Sequence, residues 1–361
     1  MPGISRYLEN SDNPKEDESM KKILTVLALL IVAAGLVWAG GAQEVQEGGY
    51  EWQPGKPVNL IVPWNAGGST DRSARVTADI VSDELGVEIV VVNQGGGSGT
   101  VGTKSCMDAP RDGLTWTAGA VKDLGVYKVQ GLLDTTLDDW HLYLNVAMPA
   151  LVAVNPDTPY QDFGELLDAF KANPGKIKVA TAGVNSSGHT AIEMIKKYKG
   201  ISYTHVTYDG GNPAVVATVG GECDVVPQLS VEEVDMIKAG KLRPLAVLAD
   251  APLQIAGYDK MVPSIKEWIP DFESAPIYFG LFVPAGVPAE VTNTLDEIWE
   301  NVVMKSDILK DWAANNAVVF DPAYGEMANK KSFPMVQIDA WLKHDSGDTV
   351  MSPDDAGIPR P

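Results

Sequence analysis

Residues 57–71 read Pro57-Val58-Asn59-Leu60-Ile61-Val62-Pro63-Trp64-Asn65-Ala66-Gly67-Gly68-Ser69-Thr70-Asp71. A short, β-branched apolar run over 58–62 is broken by Pro63, which is how a buried strand of an α/β sheet reads. Gly67 and Gly68 then let backbone amides approach a ligand with no Cβ in the way. Ser69, Thr70 and Asp71 are all helix-capping types, and residues 75–85 follow in helical spacing. Strand, glycine turn and helix start together make a nest of N–H groups at the positive end of a helix dipole, a place that holds an anion. A tight strand-to-helix turn that binds nothing has the same pattern. The stretch alone leaves both readings open.

Working outward, the same unit recurs. Strands are predicted over 87–92, 114–119, 151–154, 177–181, 204–208, 223–227, 242–248 and 278–283. Helices are predicted over 163–172, 190–198, 214–219, 288–305 and 308–315. Strands alternating with helices call for α/β architecture with mostly parallel sheets. The pattern restarts after Asn155 and returns near Ala275, so we expect two lobes with a ligand cleft between them. Residues 56–154 and 276–361 would form lobe 1 and residues 155–275 lobe 2, behind a flexible leader over 43–55.

The chain has 361 residues, enough for two domains with full cores. Its formal net charge of −20 argues against nucleic acid and against anionic membrane surfaces as partners. It leaves an anionic ligand open, because local dipoles rather than the global sum govern a pocket. Met20-Lys21-Lys22 followed by an apolar run over 23–37 reads as a signal peptide, with small residues at Ala39 and Ala42 for cleavage. An uncleaved anchor is the alternative, at the short end of membrane-spanning length. Residues 1–19 are acidic and polar, the wrong composition for the start of such a signal, so the reading begins at Met20 and takes 1–42 as an upstream extension plus signal peptide. Cys106 and Cys223 fall in different predicted lobes and read as buried free thiols. Export without a disulfide framework points to the bacterial periplasm or another extracytoplasmic space.

Among chemistry-bearing candidates, residues 97–102 match G-x-G-x-x-G between a strand and a helix, with Asp123 about twenty residues on. Four residues separate the strand end from that fingerprint, and the following helix is too short for the usual crossover, which counts against a dinucleotide site. No G-x-S-x-G, no H-E-x-x-H, no Cys/His cluster and no phosphate loop ending in Gly-Lys-Ser/Thr occurs. No cofactor and no metal are therefore expected. His189, close to Ser187, leaves one catalytic alternative: an exported α/β enzyme acting on a small carboxylate with His189 as base.

Four glycine/hydroxyl loops remain, over 65–71, 95–100, 183–189 and 209–213. Each follows a predicted strand and so lies at the carboxyl edge of a sheet, where α/β folds bind ligands. Together they can surround a small anion with N–H and O–H donors and no salt bridge, avoiding the desolvation cost of a buried ion pair. The candidate contacts are the amides of Ala66–Ser69, Gly97 and Ser98, and the side chains of Ser69, Thr70, Ser98, Thr100, Ser186, Ser187 and Tyr208. Asp71 is assigned to capping the first helix.

These residues carry a resemblance. The 61–71 stretch, the Val-Val-Val-Asn strand with its glycine loop, Gly183…Ser187-Gly188-His189, and Tyr208-Asp209-Gly210 before Gly220-Gly221-Glu222-Cys223-Asp224 resemble the Bug family, TctC-like substrate-binding receptors of tripartite tricarboxylate transporters. The likeness runs from about Lys56 to the C-terminus. It implies a two-lobed, type II periplasmic-binding-protein fold that closes on a small carboxylate, acts as a monomer, and delivers its cargo to a permease of one large and one small membrane subunit. Carried over residue by residue, the ligand loops are Asn65, Ala66, Gly67, Gly68, Ser69 and Thr70, then Gly183, Asn185, Ser186, Ser187 and His189. Two departures stand out. Asp209 occupies a position where the family usually has lysine, and Gly96-Gly97-Ser98-Gly99 adds a hydroxyl to a loop that is usually Gly-Ala-x-Gly. The acid favours a ligand with an amine or several hydroxyls over a tricarboxylate.

Overall fold

The computed structural model describes residues 49–361, so the expected signal peptide and the leader as far as residue 48 lie outside the described residues. Residues 50–361 form one compact unit. The expected flexible leader stops earlier than 55. Tyr50 and Trp52 pack against the core, the Trp52 amide donates to Thr294 Oγ1 at 2.9 Å, and Trp52 lies 6.2 Å from Trp116, ring centre to ring centre. Two aromatic rings so close together in the sequence have enough apolar area to hold the segment down.

In chain order the strands are β1 (Val58–Val62), β2 (Ile89–Asn93), β3 (Thr115–Ala120), β4 (Trp140–Met148), β5 (Leu151–Val154), β6 (Lys178–Thr181), β7 (Thr204–Thr207), β8 (Val225–Val226), β9 (Arg243–Val247), a short hairpin β10 (Leu253–Gln254) and β11 (Met261–Val262), then β12 (Ile277–Pro284) and β13 (Val319–Tyr324). The helices are α1 (Ser69–Leu85), α2 (Thr100–Asp108), α3 (Val121–Val126), α4 (Phe163–Ala172), α5 (Ser187–Lys199), α6 (Gly211–Val219), α7 (Ser230–Lys238), α8 (Ala289–Asn301), α9 (Asp307–Asn315) and α10 (Gly325–Asp345). Among the described residues no helix is long and apolar enough to cross a membrane.

The strands form two large sheets, ordered β13-β4-β12-β3-β1-β2 and β7-β6-β8-β5-β9. Both are mixed. β2, β1 and β3 run parallel in the first, as do β7, β6 and β8 in the second. The rest pair antiparallel. The reason lies in the crossovers. β4 carries the chain out of the first lobe and β12 brings it back alongside, Ile277 opposite Met148 and Pro284 opposite Trp140. Two adjacent strands that leave and return must run in opposite directions.

The crossing point differs from the expected one. The expected boundary at Asn155 puts β5 in lobe 1, but it pairs with β8 and β9 in the second sheet. The chain therefore changes lobe at Pro149 and Ala150, between β4 and β5. In the sequence, 140–154 is mainly apolar, interrupted by His141 and Asn145, because nearly every residue of β4 and β5 is buried. Burial on both faces erases the alternation that would have marked two strands.

β4 and β12 are tightly apposed at Gly280, next to a bulge in their register. A Cβ added there would collide with the carbonyl oxygen of Tyr143 and lie 2.9 Å from its carbonyl carbon. Gly280→Ala should therefore lose about 1–3 kcal/mol, the range for forced overpacking. Urea unfolding measures it: a lower midpoint at unchanged slope is expected, and wild-type stability would show that the strands are free to separate at that point.

Candidate functional site

Each sheet has a topological switch point, where the loops leaving neighbouring parallel strands turn to opposite sides. In the first sheet it lies between β1 and β3, and in the second between β6 and β8. α/β sheets bind ligands at the carboxyl ends of the strands at such points. Here the two switch points face each other. A cavity of about 40 Å³ between them is lined by Gly68, Ser69 and Thr70 after β1, Ala120 at the end of β3 and Asp123 after it, Ala182, Ser186 and Ser187 after β6, and Gln228 and Glu232 after β8. Trp64 and Phe279 supply aromatic walls.

On the first lobe the nest is built by a carboxylate. Gly68, with φ −76° and ψ 178°, is the residue before the first turn of α1 and offers no side-chain cap. Asp71 sits inside that first turn rather than at the capping position expected for it. Its carboxylate accepts from the Gly67 amide at 2.8 Å, from Arg75 Nε at 3.0 Å and from Asn93 Nδ2 at 2.9 Å. Burial raises its pKa, but these hydrogen bonds outweigh burial and hold the carboxyl below its usual range. Asp71 thus shapes the loop from behind and leaves the Ser69 amide pointing into the cavity.

On the second lobe Ser186 caps α5, its hydroxyl accepting from the His189 amide at 3.2 Å and donating to the Gly183 carbonyl at 2.8 Å. The Ser69 amide is taken from across the cleft: it donates to Glu232 Oε1 at 3.0 Å. Glu232 lies in the first turn of α7 and is 8% exposed. Burial pushes its pKa up, against hydrogen bonding from Ser69.

Further bonds tie the lobes together. Lys122 Nζ, fully buried on α3, donates to Asp123 Oδ1 at 2.8 Å and to the Asn185 carbonyl at 3.1 Å. It also stands 3.5 Å from Asp339 Oδ2 on α10. Asp339 accepts from Thr190 Oγ1 of the other lobe at 2.8 Å and pairs with Lys343. Burial opposes its charge, but the two lysines win and keep its pKa low. Nearer the mouth, Asn65 Nδ2 donates to the Asp209 carbonyl at 2.8 Å, Ser98 Oγ to the Val184 carbonyl at 2.8 Å, and Asn212 to the Gly67 carbonyl.

The candidates from the sequence divide accordingly. Asn65, Gly68, Ser69, Thr70, Ser186 and Ser187 line the cavity between the switch points. Gly97, Ser98, Gly183, Tyr208 and Asp209 line a wider groove at its mouth, which Asn65 also borders. Thr100 turns back to the Gly97 carbonyl, and Asn185 is engaged by Lys122 and Gln130. Asp209 is exposed, so the acids inside the cavity are Asp123 and Glu232 instead. His189 stacks on His205 with ring centres 4.6 Å apart. Burial, then the neighbouring His205, pushes its pKa down to about 4. A histidine neutral in that way and outside the cavity makes a poor base. The glycine fingerprint at 97–102 forms a 3-10 turn with Ser98 at φ 57°, not a tight strand-to-helix turn.

Lys122, Asp123, Gln228 and Glu232 were not among the expected site residues. All four follow strands on α3, on α7 or in the loop before it, and the sequence reading passed over both helices. The signal for α7 was present: Ser230, then Val231, Val234 and Ile237 at helical spacing with two glutamates in the first turn. Cys106 and Cys223 are free and buried, as expected. Beside the crossovers lies a second, apolar cavity of about 160 Å³, bordered by Met148, Met194, Phe272, Ile277 and Met335, and Ser187 faces both cavities. Among the described residues no cluster of His, Cys, Asp and Glu could hold a metal ion.

The profile of the tripartite tricarboxylate transporter family receptor matches residues 73–339. The chain belongs to this receptor family. It is 26% identical to protein BugT of Bordetella pertussis over 328 residues, covering 90% of this chain and 96% of that one. A crystal structure of a TctC solute-binding protein from Polaromonas is 27% identical with a TM-score of 0.60, covering 81% of this chain and 100% of that one. MatC of Rhodopseudomonas palustris, with bound malate, is 22% identical with a TM-score of 0.69 and covers 82% and 100%, a likeness that carries the fold alone. The receptor is thus a solute-binding protein with the two-lobed periplasmic-binding fold, and not an enzyme.

Asp71 gives this site a pH signature. A carboxyl whose pKa is lower in the folded state contributes fully above its unfolded value of about 3.9 and loses that contribution as pH falls through the folded value. Asp71→Asn should cost about 1.5–3 kcal/mol at pH 7, the range for hydrogen bonds to a charged group, and less at pH 3. Urea unfolding at both pH values checks this; an equal loss at both would mean that charge plays no part in holding the loop.

Proposed function

We propose that this receptor captures a small carboxylate outside the cytoplasm and delivers it to a membrane permease with one large and one small subunit. One observation carries the reading: polar groups from both lobes line one cavity at the two switch points. The Thr70 hydroxyl, and the hydroxyl and amide of Ser187 at the start of α5, would hold the carboxylate, with Asn65, Gly68, Ser69 and Ser186 shaping its seat. Helix N-termini favour anions without a buried counter-charge. The Gly97–Ser98, Gly183 and Tyr208–Asp209 segments would form the rim that ligands cross. MatC shares the fold and holds malate, so this architecture can enclose a small dicarboxylate.

A cavity of about 40 Å³ has room for little more than a water molecule or two. Ligand entry therefore calls for the lobes to part and close again, a hinge movement about the crossovers at Pro149–Ala150 and near Ala275. The signal peptide expected at residues 20–42 would supply export. The receptor would act as a monomer with no cofactor.

A panel of mono-, di- and tricarboxylates tests the reading. A bound compound raises the melting temperature in proportion to the logarithm of its concentration and is recovered unchanged. A panel in which no carboxylate shifts the transition, or in which one is chemically converted, would contradict it.

A further inference from the structure

The anion nest of the first lobe is already occupied. Glu232 reaches it from the second lobe, and its Oε1 takes the Ser69 amide at 3.0 Å. The same carboxylate packs against the first residue of α6, where a Cβ on Gly211 would collide with it. Its oxygen would lie 3.5 Å from a Cβ on Gly68. A carboxylate of the ligand placed on the Ser69 amide would share that space with a second negative charge.

The remaining walls are also acidic. Asp123 is 9% exposed and faces the same cavity. Its neighbour Lys122 does not leave a free positive charge there, because Lys122 and Lys343 are matched by Asp123 and Asp339 in one buried cluster. Arg72, which lies close enough to favour the charged form of Glu232, directs its guanidinium to the Val231 carbonyl and to Asn316. Glu233 turns away and accepts from the Gln228 amide at 2.8 Å. Among the described residues no lysine or arginine lines the cavity, whereas Trp64 and Phe279 do. Aromatic faces beside carboxylates suit a cation.

One further group is aimed at a ligand. Gln228 is 1% exposed and lines the cavity, and its side-chain nitrogen has no hydrogen-bond partner among the described residues. A buried donor left without a partner is costly, and a ligand acceptor would relieve it.

We propose, building on the carboxylate reading above, that the cavity takes an amino-carboxylate zwitterion, its ammonium group between Glu232 and the aromatic walls, beside the Asp123 carboxylate that Lys122 already pairs, and its carboxylate on the Gln228 side-chain nitrogen and the Ser187 hydroxyl. Glu232 then acts as a selectivity residue that excludes a second ligand carboxylate from the Ser69 nest. Di- and tricarboxylates bind worse than amino acids of the same length.

Calorimetric titration with matched pairs tests this. Glutarate is compared with 4-aminobutanoate and lactate with alanine, alongside the mono-, di- and tricarboxylate panel and its other amino counterparts. For the wild-type protein the amino member of the best-binding pair is expected to bind at least tenfold more tightly. Glu232→Gln keeps an acceptor for the Ser69 amide but removes the charge, and should erase most of that preference; Glu232→Ser should admit the dicarboxylate. Circular dichroism confirms that each variant is folded, and the wild-type comparison stands even if neither is. Tighter wild-type binding of the carboxylate or hydroxyl member, or a preference that survives Glu232→Gln, overturns the proposal and leaves the carboxylate reading intact. If no compound of either kind binds, the carboxylate reading falls and this inference with it.

Discussion

A carboxylate from one lobe meets the start of a helix from the other where the Ser69 amide donates to Glu232. The first amides of a helix have no partner within it and carry the positive end of its dipole. Something must satisfy them when they are buried, and here that something is a side chain 163 residues away. The contact therefore couples the local chemistry of one loop to the relative position of two sheets. Asp71 holds the loop open from the inside, through Gly67, Arg75 and Asn93. Glu232 takes the amide that the loop leaves pointing outward. One carboxylate builds the nest and another occupies it.

Around this contact a set of polar groups ties the lobes together. Lys122 reaches the Asn185 carbonyl, Asp339 accepts from Thr190, Arg72 reaches the Val231 carbonyl, and Asn65, Ser98 and Asn212 close the mouth. Such bonds contribute little net free energy, since water replaces them when the lobes part. That balance suits a receptor that must open and close. The crossovers bear the movement: antiparallel β4 and β12 run side by side into the first lobe, tightly apposed at Gly280, and the apolar cavity beside them leaves local room for repacking.

Much of this was legible in the sequence. The opening strand, its glycine loop and the first helix stand where residues 57–85 placed them, and the loops after β1, β2, β6 and β7 do lie at the carboxyl edges of the sheets. What the sequence hid has physical causes. β4 is buried on both faces, so no alternation marked it as a strand, and the strand expected over 151–154 was placed in the first lobe although it pairs in the second sheet. α3 is six residues long, too short for a helical period to show. α10 spreads its apolar residues around its circumference and carries Pro334 inside it, so neither period nor breaker marked a helix of that length. Asp123 lies on α3 and Glu232 on α7, neither of which was expected from the sequence. Nothing in a charge count distinguishes a carboxylate folded into a cavity from the solvated majority in a chain of net charge −20. Asp209, which did draw notice as an acid in a loop motif, is exposed. Strand edges can be read from local pattern, but which side chain fills a helix start from the opposite lobe depends on the packing of both.

The coupling between the two lobes is most directly tested by amide hydrogen exchange at Ser69, read at single residues by NMR in the ligand-free protein. Protection of Ser69 should be high in the wild type and should fall in Glu232→Ser, while the Gly67 amide, held by Asp71 within its own lobe, keeps its protection in both. Exchange at Ser69 that is fast in the wild type, or unchanged by the substitution, would contradict the assignment of Glu232 as the group that occupies the nest.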